Sequence, residues 1–345
     1  MKNPQRYTSL ILFAALVGSS EVGNTLTPEG YWTEYVSNFY AAVTVAREKV
    51  ELPGMPECHI RLVGDECVIF YRDGTDNHKD YLTDQVHKIV RFTYILKALW
   101  FVSPFNIRRM QDHKSPREIA VGAHCGTILE IMKPKENETA YENDPWFLGH
   151  TINVAKRIES ISRDRRNLNF CVSASVGNMV KNLAKNAAKL KYNPDYIVYG
   201  LLKVANPEHR DIKGIDPVIR VNEILPSWDR DKDKKADREQ IKKAKTIIKQ
   251  FEKNGRKVQT HVNDGCELIS QYYKMIETIH GRVPNVLELL TPLIEYANWY
   301  AHDSWSVMLA GLSLLSMAEL EGVKSKIAGE AKKTGKAMMR KLLMI

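Results

Sequence analysis

The feature that most constrains the fold is a change of pattern near Leu225. From Thr8 to about Leu225, β-rich runs alternate with segments of helical spacing, which is typical of an α/β or α+β domain. A mixed-charge run follows, and every later segment has helical spacing without β-branched runs. The pattern predicts one domain over residues 1–225, a charged linker over 226–236 and a helical domain over 237–345.

Local signals place the elements of the first part. Thr8–Val17 is an apolar run of strand type, and Gly64-Asp65 joins two β-rich runs between His59 and Tyr71 in the manner of a hairpin. Thr27-Pro28-Glu29 is a helix start, with an N-cap hydroxyl, a proline and an early acid. The spacing of the apolar residues that follow predicts an amphipathic helix whose apolar stripe is Trp32, Tyr35, Val36, Phe39 and Val43. The other elements predicted here are a helix over 83–102, a strand pair over 119–132 and a helix over 149–161.

Composition raises the question of which partners the chain meets. The formal charge is +9 and the sequence pI about 9.1, which could suit nucleic acid or anionic lipid. Lysines of 230–257 are mixed with acids, as on a solvated helix face, so no nucleic-acid partner is expected. The last helix, with apolar residues beside lysines over 324–343, leaves contact with lipid or a partner helix open.

Location is predicted from the cysteines and the apolar runs. The five cysteines are widely spaced and contain no Cys-x-x-Cys pair, so neither a disulfide framework nor a zinc cluster is indicated and a cytoplasmic location is expected. The longest apolar window, Ser304–Ala318, is too short for a bilayer span and is predicted to be a buried helix. The run Leu10–Val17 after Lys2 and Arg6 only partly imitates a signal peptide.

Two turns of the first domain are candidates for phosphate and metal binding. The strand over 13–17 runs into Gly18, Ser19 and Ser20, whose backbone N–H groups could hold phosphate oxygens. Asp65 lies at the tip of a hairpin, where two strands would hold a carboxylate rigidly toward Mg²⁺. Each signal alone is more typical of an ordinary turn.

A helix and a glycine-rich strand complete the candidate constellation. Asn153 and Arg157 are four residues apart, so both would project from one face of a helix and could stabilise charge on a phosphorus centre. His124 lies in a strand between small residues, where a histidine is more often structural. It is therefore left out of the catalytic set.

Taken in order, these segments closely resemble the signatures of the class III nucleotidyl cyclase catalytic domain, over roughly residues 7–225. The segments that carry the resemblance are Phe13-Ala14-Ala15-Leu16-Val17-Gly18, Gly64-Asp65, Val121-Gly122-Ala123-His124-Cys125-Gly126 and Gly149-His150-Thr151-Ile152-Asn153-Val154-Ala155-Lys156-Arg157. The resemblance implies an α+β fold with a ferredoxin-like βαββαβ core, followed here by an all-helical C-terminal domain. It also implies a homodimer with composite active sites.

The resemblance further implies two divalent ions, Mg²⁺ or Mn²⁺, held by two aspartates and a backbone carbonyl. Asp65 matches the second aspartate and Leu16 the carbonyl, but the first aspartate falls on Ala15. Alanine offers no ligand, so activity is expected to be strongly reduced. The substitution is interpreted either as engineered to trap substrate or as natural in a nucleotide-binding relative, and the intact remainder favours the first.

Other positions carry substrate roles by the same resemblance. Asn153 and Arg157 match the catalytic transition-state pair, and Lys213 matches the lysine that reaches the terminal phosphates. The two base-reading positions hold Arg61 and Trp146 instead of the family's purine-reading residues. An arginine fork and a large aromatic favour a small carbonyl-rich base, hence a pyrimidine.

With these changes the chain is most similar to the pyrimidine cyclases of bacterial Pycsar anti-phage systems. The implied reaction converts UTP to 3′,5′-cyclic UMP and pyrophosphate, and the messenger would act on a separate effector. The alternatives are a cytidylate cyclase, an adenylate or guanylate cyclase with atypical base contacts, and a catalytically dead nucleotide sensor.

Overall fold

The structure is a computed structural model of the chain. It describes residues 4–52, 57–72, 78–131, 145–163, 170–187, 202–204, 208–212, 215–226, 256–281, 285–301, 304–320 and 325–344. The candidate residue Lys213 lies outside these ranges. The predicted linker over 226–236 also lies outside them, except for its first residue. Both therefore stay predictions.

A mixed sheet forms the centre of residues 1–226, in the strand order β2-β3-β1-β4-β6-β9-β7, with β5 paired to β4 and β8 to β9. Its strands are β1 (Gln5–Leu16), β2 (Cys58–Val63), β3 (Glu66–Arg72), β4 (Ile119–Ile131), β5 (Trp146–Leu148), β6 (Cys171–Ser173), β7 (Leu202–Val204), β8 (Glu208–Ile212) and β9 (Ile215–Pro226). The order β2-β3-β1-β4, antiparallel throughout, is that of a ferredoxin-like βαββαβ core. The predicted α+β class is confirmed.

Helices connect the strands and form the C-terminal region. They are α1 (Ser19–Gly23), α2 (Pro28–Gly30), α3 (Ser37–Lys49), α4 (His78–Phe101), α5 (Pro104–Gln111), α6 (His150–Arg163), α7 (Ala174–Ala187), α8 (Arg256–His280), α9 (Val286–Trp299), α10 (Ser304–Leu320) and α11 (Lys326–Met344). A π-helical segment, Tyr31–Val36, joins α2 to α3. The predicted helices over 83–102, 149–161 and 304–318 correspond to α4, α6 and α10.

Strand β1 is an apolar run because both of its faces are covered. Leu10, Leu12 and Leu16 pack with α3 and α4 on one face, whereas Ile11 and Phe13 belong to a smaller cluster that includes Ala155 of α6 on the other. Helix α6 lies close to the sheet because β4 offers a glycine there. A Cβ on Gly122 would meet the carbonyl oxygen of Ala155 at 2.7 Å.

Two local predictions were wrong. Ile119–Met132 is not a strand pair, because β4 continues as one strand to Ile131 and pairs with the whole of β1. The glycines within it allow α6 to approach and do not turn the chain. Trp32 is not part of the buried helix stripe, since the π-helical turn leaves it 50% exposed, with its ring edge-on to Tyr40.

The C-terminal helices pack on the same side of the sheet as α3 to α5, and their apolar side chains continue the core of that side. Tyr272 of α8 donates a hydrogen bond to the carbonyl of Asn38, and Tyr273 donates one to the carbonyl of Val102. His280 also contacts the Ser37 hydroxyl at 3.1 Å. Among the described residues, no helix is both long and apolar enough to cross a membrane.

Candidate active site

The end of β1 and the tip of the β2-β3 hairpin meet through a backbone hydrogen bond. The N–H of Leu16 donates to the carbonyl of Asp65 at 3.0 Å. Gly64 takes a φ of 59° at the tip, which a glycine adopts without strain, and leaves the Asp65 side chain partly exposed. The structure thus joins the backbone of the hairpin tip to the end of β1, which contains Ala15 and Leu16.

The Gly-Ser turn is adjacent to this acid. Gly18 has a φ of 77° and precedes α1, so Ser19 and Ser20 form the first turn of that short helix. Tyr31 connects the two features. Its pKa is raised by burial and next by the negative charge of Asp65, while a hydrogen bond with Ser19 opposes the rise. Ser19 and Asp65 therefore both lie close to Tyr31.

Arg117 is a cation at this turn that sequence reasoning missed. A Cβ on Gly18 would meet the guanidinium of Arg117 at 2.6 Å, and Arg117 pairs with Glu21 at 2.6 Å. Its backbone carbonyl accepts hydrogen bonds from Trp100 and Asn106, which fix the segment before β4. Nothing in the local sequence marks this arginine, because only the pairing of β1 with β4 brings it to Gly18.

Ala15 is fully buried, and charged side chains surround its face of the sheet. Ala15 pairs in register with Glu66, whose carboxylate forms an ion pair with Lys156 of α6. Lys156 also lies 3.1 Å from a carboxylate oxygen of the fully buried Glu159. Lys156 and Glu159 are three residues apart on one helix, so the sequence alone predicts that they are neighbours. The contact of Lys156 with Glu66 depends on the fold.

Arg163 is a second cation of the same group and forms an ion pair with Glu159. Burial works to lower the pKa of Arg163, but the hydrogen bond to Glu159 and the charges of Glu159, Asp65 and Glu66 outweigh burial and raise it. Asp65, Glu66 and Glu159 therefore lie within electrostatic range of one guanidinium.

The two-ion site implied by the sequence resemblance requires oxygen ligands for both ions. Asp65 offers one carboxylate toward solvent, whereas Ala15 offers no oxygen ligand. In the described part of the chain no group of three or more His, Cys, Asp or Glu side chains could hold a metal ion. Glu66 and Glu159 are paired with cations. The residues present do not fit a pair of divalent ions.

The predicted base-reading residues lie next to each other. The Arg61 guanidinium stacks 5.0 Å from the Phe147 ring centroid and 5.8 Å from that of Phe70. It also donates a hydrogen bond to the carbonyl of Pro145, the residue before Trp146. Trp146 is 56% exposed. Arg61 is therefore held in one orientation at the edge of the sheet, while just over half of the Trp146 side chain is exposed.

Helix α6 carries the predicted transition-state pair on its outer side. Asn153 and Arg157 are both exposed, whereas Val154, Ala155 and Ile158 are buried. The expected division between a polar and an apolar face is confirmed. Both polar side chains are exposed to solvent.

His124 lies beneath the same helix and differs from the structural histidine expected there. Burial and then the charge of His150 lower its pKa to about 4, so it is neutral at physiological pH. Its Nδ1 has no hydrogen-bond partner among the described residues. His124 is therefore a buried, uncharged imidazole at pH 7.

No protein-family model matches the chain, and no curated protein matches it in sequence. Solved structures resemble it in part. The adenylyl cyclase CyaB from P. aeruginosa is 18% identical, with a TM-score of 0.46 over 67% of this chain and 98% of that one. The guanylyl cyclase Cya2 is 13% identical, with a TM-score of 0.42 over 64% of this chain and 93% of that one.

A third structure extends over nearly the whole chain. It is a class III adenylyl cyclase-like ATP-binding protein from Pseudomonas aeruginosa, 11% identical, with a TM-score of 0.40 over 98% of this chain and 72% of that one. At this level of similarity, neither the activity nor the substrate of these proteins transfers to this chain.

Proposed function

We propose that the chain is a nucleotidyl cyclase of the class III type, acting on a pyrimidine triphosphate. The observation that carries the proposal is the hydrogen bond between Leu16 and Asp65, which joins the Gly18 turn to the hairpin acid. A turn with free N–H groups beside a rigid carboxylate suits a triphosphate and a cation bound to it. Arg117 adds positive charge at the turn.

The proposed reaction is attack of the ribose 3′-hydroxyl on the α-phosphorus, with pyrophosphate as the leaving group. Negative charge grows on the phosphoryl oxygens during this step. The exposed amide of Asn153 and guanidinium of Arg157 are suited to stabilise it by hydrogen bonding. Lys213 is proposed to hold the terminal phosphates.

Uracil is the proposed base. The Arg61 guanidinium is already oriented by Phe147 and the Pro145 carbonyl, so it would lose little freedom on donating to a base carbonyl. The exposed ring of Trp146 could stack on or cover the base. Cyclic UMP is therefore the preferred product, and cyclic CMP is the closest alternative.

A second copy of the chain is proposed to complete the site. Apolar side chains stand exposed around the hairpin and β5, where a partner would cover them: Leu62 at 37%, Val63 at 63%, Trp146 at 56% and Leu148 at 50%. In such a homodimer, Asn153 and Arg157 of one copy would face Asp65 of the other. The product would act on a separate effector, as in an anti-phage signalling system.

Product identification tests the proposal. The unchanged chain and an Ala15→Asp variant are each incubated with ATP, GTP, CTP or UTP and Mn²⁺, and cyclic products are identified by mass spectrometry. We expect cyclic UMP from Ala15→Asp and little or none from the unchanged chain. An Asp65→Asn change in the Ala15→Asp background is the control and should abolish the product.

Each other outcome has a distinct meaning. Cyclic CMP alone would move the assignment to a cytidylate cyclase. Cyclic AMP or GMP alone would contradict the pyrimidine assignment. Nucleotide binding without any product from Ala15→Asp would favour the nucleotide sensor over the enzyme.

A further inference from the structure

The Lys156 ammonium is held from two elements at once. It forms ion pairs with Glu66 of β3 and with Glu159 of its own helix, the latter at 3.1 Å. It also lies 5.4 Å from the centroid of the Phe13 ring. A cation held by two carboxylates and an aromatic face, with Glu159 fully buried, is fixed far better than a surface lysine.

This ammonium lies on the face of the sheet that carries Ala15. Ala15 is the register partner of Glu66, and Phe13 precedes it by two residues, so all three side chains share one face. Lys156 touches the two neighbours of Ala15 on that face. The position where the aspartate is missing is therefore next to the Lys156 ammonium.

Cations of the chain itself compensate most of the negative charge around Ala15, two cations against three acids. The acids Asp65, Glu66 and Glu159 lie near the cations Lys156 and Arg163, with Arg163 also paired to Glu159. A divalent ion beside Ala15 would have to displace or repel the Lys156 ammonium. Glu66 and Glu159, which would have to supply oxygen ligands, already form ion pairs with Lys156.

We infer that the Lys156 ammonium is a resident cation that takes the place of one of the two divalent ions, so that each site holds at most one such ion. The catalytic meaning of this inference rests on the proposed function. The cation exchange itself does not, because it concerns only Lys156, Glu66 and Glu159. The ion that an aspartate at position 15 would help to bind is then replaced by the Lys156 ammonium.

The inference predicts that removing the ammonium creates a metal site. In Lys156→Met the two carboxylates would face each other without their cation, and carboxylate oxygens are suitable ligands for Mn²⁺. We expect Lys156→Met to bind one more Mn²⁺ per chain than the unchanged protein, without nucleotide, by electron paramagnetic resonance of free Mn²⁺. Its melting temperature should rise on adding Mn²⁺.

Two variants control this measurement. Lys274→Met removes an exposed lysine of α8 and should leave the Mn²⁺ count unchanged. Lys156→Met with Glu66→Gln should lose the additional ion. A folded Lys156→Met, verified by circular dichroism, that binds no additional Mn²⁺ would overturn the inference.

The unchanged protein gives a second measurement that needs no folded variant. Its Mn²⁺ count, alone and with the non-hydrolysable analogue α,β-methylene-UTP, should not exceed one per chain in addition to any ion on free nucleotide. Two protein-bound ions would contradict the inference, and one or none supports it.

Failure of the inference is distinguishable from failure of the proposed function. Cyclic product from Ala15→Asp together with two bound ions in the unchanged chain would overturn only the inference. An additional Mn²⁺ in Lys156→Met, without cyclic product from either Ala15→Asp or Ala15→Asp with Lys156→Met, would overturn only the proposed enzyme activity. If both are right, the double variant should turn over faster than Ala15→Asp alone.

Discussion

The Leu16 N–H donates a 3.0 Å hydrogen bond to the carbonyl of Asp65, so the last residue of β1 and the hairpin acid are tied by their backbones. This hydrogen bond joins backbone atoms only, so it does not involve the Asp65 carboxylate. Side-chain changes at Asp65 should therefore alter ligand binding while leaving the fold intact.

Arg157→Ala should lower turnover without lowering stability. In the Ala15→Asp background we expect kcat to fall about 100-fold or more, because one charge-stabilising donor is lost. The free energy of unfolding should change by no more than about 0.5 kcal/mol, since Arg157 is exposed. Steady-state kinetics and urea denaturation measure the two effects. Equal kinetic loss in Lys274→Ala would show that the effect is not specific to Arg157.

Arg61→Lys should weaken the preference for UTP. Lysine keeps the charge but loses the planar fork and the stacking on Phe147, seen at 5.0 Å. We expect kcat/KM for UTP to fall about tenfold or more relative to the other nucleotides, about 1.4 kcal/mol of discrimination. Competition assays with four nucleotides give the ratio.

Arg72→Lys is the matched control for Arg61. Its guanidinium stacks on Tyr7 at 4.8 Å, so the change removes a similar contact away from Trp146. An unchanged UTP preference is expected there. A preference that survives Arg61→Lys would remove Arg61 from base reading.

Gly122→Ala should destabilise the protein, because the new methyl group would press against α6. Its Cβ would meet the Ala155 carbonyl at 2.7 Å, a backbone contact that cannot move aside easily. We expect a loss of about 1–3 kcal/mol in the free energy of unfolding, or more. Urea denaturation followed by circular dichroism measures it.

Gly329→Ala provides the opposite case. A Cβ there has nothing within 4 Å and lies within α11, so alanine should stabilise by about 0.5–1 kcal/mol. If Gly122→Ala and Gly329→Ala changed the free energy of unfolding by similar amounts, the close approach of α6 to β4 would be contradicted.

His124 should make stability depend on pH in the acid range. Its pKa in the folded protein is lowered to about 4 by burial, against about 6.5 when unfolded, so the unfolded chain binds more protons between these values. Stability should therefore fall as the pH drops from 6.5 toward 4, by at most about 1.4 kcal/mol per pH unit. Urea midpoints at several pH values measure the slope.

His124→Gln should reduce that slope, since the side chain no longer titrates. His113→Asn, an exposed position with a φ of 55° that asparagine tolerates, serves as the control. A slope left intact by His124→Gln would assign the pH dependence to other groups.

Local sequence signals were sufficient for much of the fold. The Thr27 N-cap accepts the hydrogen bond from Gly30, and Gly64-Asp65 turns the hairpin as predicted. The two faces of α6 also follow directly from the spacing of Asn153 and Arg157. These features depend on residues within a few positions of one another, so the sequence contains all that they need.

Features that depend on distant partners were not predictable in the same way. The length of β4 is decided by its pairing with β1, and the glycines inside it resemble turn residues until α6 is seen to lie against them. The cation at the Gly18 turn comes from Arg117, about one hundred residues further along the chain. Such contacts depend on topology.

The sequence by itself determined which chemical groups are present: Asp65 on a hairpin, Asn153 and Arg157 on one helix face, and alanine at position 15. Only the tertiary structure decided what surrounds that alanine. Pairing of β1 with β3 places Glu66 beside it, and the packing of α6 brings Lys156 and Glu159 to the same face. Spacing within one helix or strand decides on which face of that element a side chain lies. Sheet pairing and helix packing decide which charged groups lie next to it.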